Sequence, residues 1–270
     1  MKFKTIVIVL LILAFAIPAT SFARERKYKH EGELTIWQNE LSGSLNLSNA
    51  GYNLRTNFKG DGNFSKETTA GLGWVYNIGK LSDVYIHYNK IENSGRLRAV
   101  GTGAVAFNGI NYTVVGGVAT IDMNLKMDIF DILGAREISR GENGHIDFVY
   151  GLKILKCSFN AVDAANAANT SNYDITLPIP NFGVRGVYHM SKDWDAYGQF
   201  SGFSLNRSGK SGTLKYLNFG VEYKLRKMTS QNVDWSVALG YKDEYIKGTD
   251  GNNNIVVEHK GPEFKIIGRF

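Results

Sequence analysis

Cysteine occurs once, at Cys157, so no disulfide within the chain can staple its fold. Proline is almost as scarce, four in 270 residues, and little of the sequence carries the 3.6-residue periodicity of amphipathic helices. Past the N-terminus no apolar stretch approaches the roughly 18 residues that a spanning helix needs, which excludes a helical membrane bundle. Charge of one sign is missing too: 31 Lys and Arg face 25 Asp and Glu, dispersed along the chain, so nothing forms a nucleic-acid surface.

The N-terminus is the one segment of a different kind. Lys2 and Lys4 precede an unbroken apolar run from Ile6 to Ile17, Pro18 ends the run, and Ser21-Phe22-Ala23 gives a small-x-small cleavage pattern. Residues 1–23 are therefore expected to be a secretory signal peptide, leaving 24–270 as a single domain. With 30 glycines and 14 tyrosines, that remainder favours strands and turns.

Period-2 alternation recurs ten times, at about 33–47, 68–78, 83–94, 118–131, 145–157, 180–190, 194–205, 213–226, 234–246 and 261–270. In 120–130 Ile121, Met123, Leu125, Met127 and Ile129 share one face, and Asp122, Asn124, Lys126 and Asp128 share the other. An extra hairpin is expected where "RAVGTGAVAF" and "INYTVV" flank Asn108-Gly109. Its "GTGAVA" mimics a dinucleotide-binding fingerprint, but a hairpin follows it where that motif requires a helix. Connections tend to alternate, short after the second, sixth and eighth runs and longer after the first, third, fifth and ninth. The stretch 159–173 reads as a mobile loop, and "GAREISRGENG" after the fourth run as an overlong turn. An even strand count with short turns at one end and long loops at the other predicts an all-β fold, a single antiparallel up-and-down transmembrane β-barrel of about ten strands, with eight as the alternative.

Three features argue that the apolar faces meet lipid. Tyr76, Tyr188, Trp194, Tyr223, Trp235 and Phe270 fall at the short-turn end, as a membrane girdle of aromatic rings requires, with Tyr241 and Phe264 as candidates for the opposite girdle. The other face carries both charge signs interleaved: Asp122, Lys126, Asp128, Asp147, Lys153, Arg185, Asp195, Glu222, Lys224, Lys242, Glu263, Lys265 and Arg269, which would pair across a lumen. The chain also stops within its last strand, as closure onto the first would require.

That last strand, "EFKIIGRF", resembles the C-terminal signature of outer-membrane β-barrel proteins, with Phe270 last and apolar residues at alternate positions before it. Segment 178–203 is similar to a strand–turn–strand of small, uncharacterised porin-like barrel families. The resemblance implies a location in the outer membrane of a Gram-negative bacterium, contact with its lipids, and recognition of the final strand by the barrel assembly machinery. Gly268 departs from the signature, which more often has a larger residue there.

Candidate sites are few. Asp243, Glu244, Glu258 and His259 read as an outward cluster beside the last loop, able to act as acid and base or to bind a cation. His87, His145 and His189 fall on the polar face of the lower half, and no nucleophile–base pair appears at the outer mouth. "DGNNN" at 250–254 has calcium-loop spacing but lacks the glycine and glutamate of such a loop, and reads as a turn. No cofactor or metal is expected. The expected function is a non-enzymatic barrel that is structural, binds through its loops or passes a small solute. The alternatives are an outer-membrane hydrolase of lipid or peptide, and a soluble periplasmic binding protein.

Overall fold

The computed structural model describes residues 28–49, 52–60, 64, 66–79, 81–100, 105–107, 110–207, 209–225, 233–251 and 253–270. The expected signal peptide lies outside the described residues. Alternating side chains produce fourteen strands: β1 (His30–Asn49), β2 (Tyr52–Asn57), β3 (Lys66–Asn77), β4 (Ser82–Val100), β5 (Val105–Phe107), β6 (Ile110–Tyr112), β7 (Val114–Val115) and β8 (Val118–Gly141). They continue with β9 (Gly144–Asp163), β10 (Thr170–His189), β11 (Trp194–Arg207), β12 (Lys210–Lys224), β13 (Asp234–Asp250) and β14 (Asn253–Arg269).

Ten of these close into one antiparallel ring in the order β1, β3, β4, then β8 to β14, with β14 returning to β1. The closing ladder runs from Glu31↔Arg269 to Asn46↔Asn254. It leaves no free edge there, as a barrel in lipid requires. β2 and β7 attach to β1 and β8 at the upper rim, while β5 and β6 pair as a separate hairpin. Phe107 pairs with Ile110 in that hairpin, as predicted, with the turn residues 108–109 outside the described residues. The two termini meet at the lower end, where the backbones of His30 and Phe270 exchange hydrogen bonds of 2.8 and 2.9 Å. The short turns after β3, β8 and β10 share that end.

Pro262 interrupts the closing ladder because it has no N–H to donate. Beside it, a Cβ on Gly261 would lie 1.9 Å from the Gln38 carbonyl oxygen, so only glycine lets β1 approach. The Trp37 indole uses that approach, donating to the Gly261 carbonyl at 3.3 Å.

Two expected loops are strand instead. β9 and β10 pair from Gly144↔Tyr188 to Val162↔Thr170, so the predicted loop 159–173 shrinks to residues 164–169. "GAREISRGENG" likewise continues β8 through a bulge at Glu137–Ser139, and only residues 142–143 turn. Polar and small residues hide both segments from a hydrophobicity reading, but backbone pairing does not depend on them.

A second correction concerns the faces. Along β8, Ile121, Met123, Leu125, Met127 and Ile129 point into the barrel and are at most 4 % exposed. Asp122, Asn124, Lys126 and Asp128 alternate with them and point out. Asp122, Lys126 and Asp128 therefore do not line a lumen; Lys126 pairs with Glu92 on the outer surface at 2.8 Å. One residue later the chemistry exchanges sides: Phe130 and Ile132 are outward and exposed, whereas Asp131 between them is inward and buried. The same exchange occurs at Ile154-Leu155 on β9 and at Ile36-Trp37 on β1.

The barrel is thus two stacked halves. The lower has an apolar exterior and a polar bore. The upper has a polar exterior and an apolar core of Trp37, Leu41, Leu125, Met127, Leu155, Phe159 and their neighbours. Phe58 and Phe64 from the β2–β3 connection cover that core at the rim, their rings 5.4 Å apart, and Tyr112 joins them.

Candidate functional site

The lower bore encloses a cavity of about 550 Å³. Every second residue of the wall faces it, so the charges fall on it in tiers. At the mouth, Arg269 of β14 binds Glu31 of β1 and Glu222 of β12. Beside it, Lys224 and the His189 Nδ1 each lie 2.9 Å from Asp195. Arg185 spans Asp147 and Asp83 with its guanidinium over the Tyr85 ring, 4.4 Å from the centroid. Higher, Lys265 sits between Glu263 at 3.2 Å and Glu33 at 3.4 Å.

The top tier closes the bore. Lys153 of β9 contacts Asp131 at 2.8 Å and Glu244 of β13 at 2.9 Å, all three buried. Lys242 lies 4.3 Å from the centre of the Trp37 ring, and the His259 Nε2 is 3.0 Å from the Asn93 Oδ1. Immediately above this tier the apolar core begins, so a polar path from the lower mouth ends at mid-height.

The predicted polar residues from Asp147 to Arg269 all face the bore, and His87, His145 and His189 line its cavity. The rings of His145 and His189 lie 6.3 Å apart. The predicted outward cluster does not assemble. Asp243 and Glu258 are outside the wall, where Ser42 donates to Glu258 at 2.8 Å. Glu244 and His259 are inside it, each 1 % exposed, because consecutive strand residues point to opposite faces. Nor do they sit beside a loop: both lie well below the last turn at Gly251. The turn replaces the calcium-type spacing, with Asn252 outside the described residues. Burial and the nearby Glu258 raise the Asp243 carboxyl above its ordinary value.

The six predicted girdle residues, Tyr76, Tyr188, Trp194, Tyr223, Trp235 and Phe270, are all outward, 37 to 56 % exposed, at the lower end. Trp74, missed in the sequence reading, belongs with them: its ring is 5.3 Å from that of Phe270. Tyr241 and Phe264 are outward near mid-height.

At the upper rim, Asp163 gathers the connections. It accepts from the backbone N–H of Thr113 at 2.6 Å and of Ala165 at 2.9 Å, and from Asn169 at 3.2 Å. Burial alone would raise its carboxyl, but these donors outweigh it and hold the group well below the usual carboxylate range. Among the described residues, no group of three His, Cys, Asp or Glu side chains could hold a metal ion.

Neither a protein-family model nor a curated protein matches the sequence. Solved structures do match the fold. The outer membrane protease OmpT from Escherichia coli superposes with a TM-score of 0.56 at 9 % identity, over 93 % of this chain and 99 % of that one. The translocator domain of the autotransporter NalP from Neisseria meningitidis gives 0.44 at 12 % identity, over 99 % and 98 %. The chain has the fold of an outer-membrane β-barrel.

Proposed function

We propose that this chain is an integral outer-membrane protein whose lower half lies in the bilayer and whose upper half stands outside the cell as a closed, apolar-cored stalk for its loops. Its bore conducts no solute; binding and support fall to the outer surface. Residues 1–23 direct export, and the strand ending in Phe270 is what the assembly machinery engages.

The observation that carries this reading is the exchange of polar and apolar faces at mid-height. Below it, Leu72, Ile86, Phe200, Phe219 and Leu239 are 49 to 63 % exposed in one band around the ring. A monomer in water rarely shows so continuous an apolar surface. Above it the exterior is charged and the inside is packed, as in water. The outward apolar stretch on β14, Phe270 back to Pro262, runs about 27 Å along the strand, which at a tilt of about 40° is about 20 Å of height, close to the roughly 25 Å of a barrel's lipid band. Narrow solute passage, the other expectation, is disfavoured by the ionic tier and by the core above it.

Fractionation of a Gram-negative host, with boiled and unboiled samples compared on a gel, tests the location. Faster migration of the unboiled protein in the outer-membrane fraction supports the reading, and soluble protein without a shift removes it. Planar-bilayer recording tests closure: steady conductance from the intact barrel would overturn the sealed bore.

A further inference from the structure

Two ladders of the ring stop short of the upper rim. The β3–β4 ladder ends at Gly71↔Asn89, although both strands continue above it. That opening is filled from the β2–β3 connection, and the inward side chains Ile91 and Leu97 behind it are fully buried, in one core with Phe58 and Phe64. The β10–β11 ladder ends at Phe182↔Gly202, although β10 continues to Thr170 and β11 to Arg207. Each strand keeps its other partner past that point: Leu177 pairs with Leu155 of β9, and Leu205 with Gly212 of β12.

Among the described residues nothing covers this second seam. Leu177 and Leu205 point inward by register, yet they are 37 % and 49 % exposed. Ile175 and Ile179, packed against the upper core, stand beside Leu177, and the Phe182 and Phe203 rings close the foot of the seam 6.2 Å apart. Directly below them the cross-strand pair Val184↔Phe200 is outward, 46 % and 58 % exposed, at the top of the apolar band. An apolar surface therefore runs without interruption from the band, through the seam, to the inside of the wall.

We propose that the β10–β11 seam admits a hydrocarbon chain of a lipid from the surrounding leaflet. The inference rests on the membrane reading above. Continuity with the band places the entrance where acyl chains are. Of the polar groups flanking the seam higher up, Ser204 and Thr213 satisfy one another at 3.1 Å, while Lys156, cross-strand from Thr176, and Lys215, cross-strand from Gly202, stand outward and exposed on either side, where a lipid whose chain enters the seam would bring its phosphate. An added peptide strand is the competing occupant, and Pro178 and Pro180 oppose it. The two have the same parity, so the donors they lack fall on one side of β10. The ladder to β9 continues past both, which turns that side toward the seam. An edge without those donors is a poor template for another strand.

The test is photolabelling of the full barrel in phosphatidylcholine vesicles, using a lipid with a diazirine near the chain end and mapping the labelled residues. We expect label at Val184 and Phe200 on the band and also at Leu177 and Leu205. In Leu177→Asp/Leu205→Asp the seam label should drop at least ten-fold while the band label is unchanged. A Cys157→Ala protein carrying Ile179→Cys and Leu205→Cys, oxidised across the seam, should lose it likewise and regain it with reductant. Label on the band alone overturns the seam and leaves the membrane reading standing. Label at neither site overturns both. Seam amides protected by an extended peptide, with no lipid label there, would make the seam a strand-addition site and overturn the proposal.

Discussion

Lys153 and Glu244 meet across the bore, 2.9 Å apart, from strands separated by three others in the ring. Their contact ties opposite walls together, and Asp131, 2.8 Å away on β8, shares the same ammonium. All three are excluded from water, as is Lys242, 3.9 Å from the other Glu244 oxygen, so each depends on the others for its solvation.

Removing the cation alone should therefore be costly. Lys153→Met leaves Asp131 and Glu244 facing each other in a buried site with only Lys242, 3.9 Å from Glu244, beside them, a loss of about 3–5 kcal/mol. Replacing the whole cluster, as Lys153→Met/Asp131→Asn/Lys242→Met/Glu244→Gln, should recover most of that loss. The midpoint of urea unfolding in micelles reads both. A quadruple variant no more stable than the single one would mean that the tier acts by packing and not by charge compensation.

The border between the halves can be located by charge. Leu239 is 63 % exposed in the middle of the apolar band. Leu239→Arg should cost about 2–4 kcal/mol in vesicles if that surface meets hydrocarbon. Asn124→Arg, on the polar exterior of the upper half, should stay within about 0.5 kcal/mol. Equal, small effects at both positions would place the band in water.

Cys157 offers a cheap probe of the upper core. It lies inward between Met127 and Ile175, and burial pushes its thiol up to about 12. Since the thiolate is the reactive form, maleimide should label the folded barrel at least a hundred-fold more slowly than the urea-unfolded chain. Rapid labelling of native protein at pH 7.5 would contradict a packed interior.

Much of this architecture was legible in the sequence, and the exceptions have one physical cause. The ten alternating runs correspond to the ten wall strands. Alternation reports which residues share a face; it does not report what that face meets. "TIDMNLKMDIF" alternates as cleanly as any lipid-facing strand, but its apolar side is a core. The signal that separates the two is an apolar doublet, Ile129-Phe130, Ile154-Leu155 or Ile36-Trp37, where the inward apolar series and the outward one meet at consecutive residues. The mis-assembled cluster had a related origin. Asp243 with Glu244, and Glu258 with His259, are neighbours in sequence, which on a strand sends them to opposite sides of the wall. The β10–β11 seam left a fainter mark, Pro178 and Pro180 inside a strand, which signals an unpaired side without naming the strand that withdraws.

Asp163 makes a prediction about acid at the upper rim. Its folded carboxyl is held low by the donors from Thr113, Ala165 and Asn169, whereas in the unfolded chain it titrates near 4, at about 3.9. A depressed group contributes stability that is complete above the unfolded value and is lost as the pH falls through the folded one. The turn at 164–169 should therefore hold unchanged from pH 8 down to about 4 and loosen only at lower pH. The Thr113 and Ala165 amides report this directly, because both donate to the carboxylate. Their proton resonances, followed by NMR in micelles, should stay in place through pH 4 and move below it. In Asp163→Asn they should be displaced at every pH and show no such titration. Wild-type resonances that titrate with a midpoint at or above 4 would mean that the carboxylate is not held by these donors, and Asp163 would lose its place as the tie between the β7 and β9 ends of the rim.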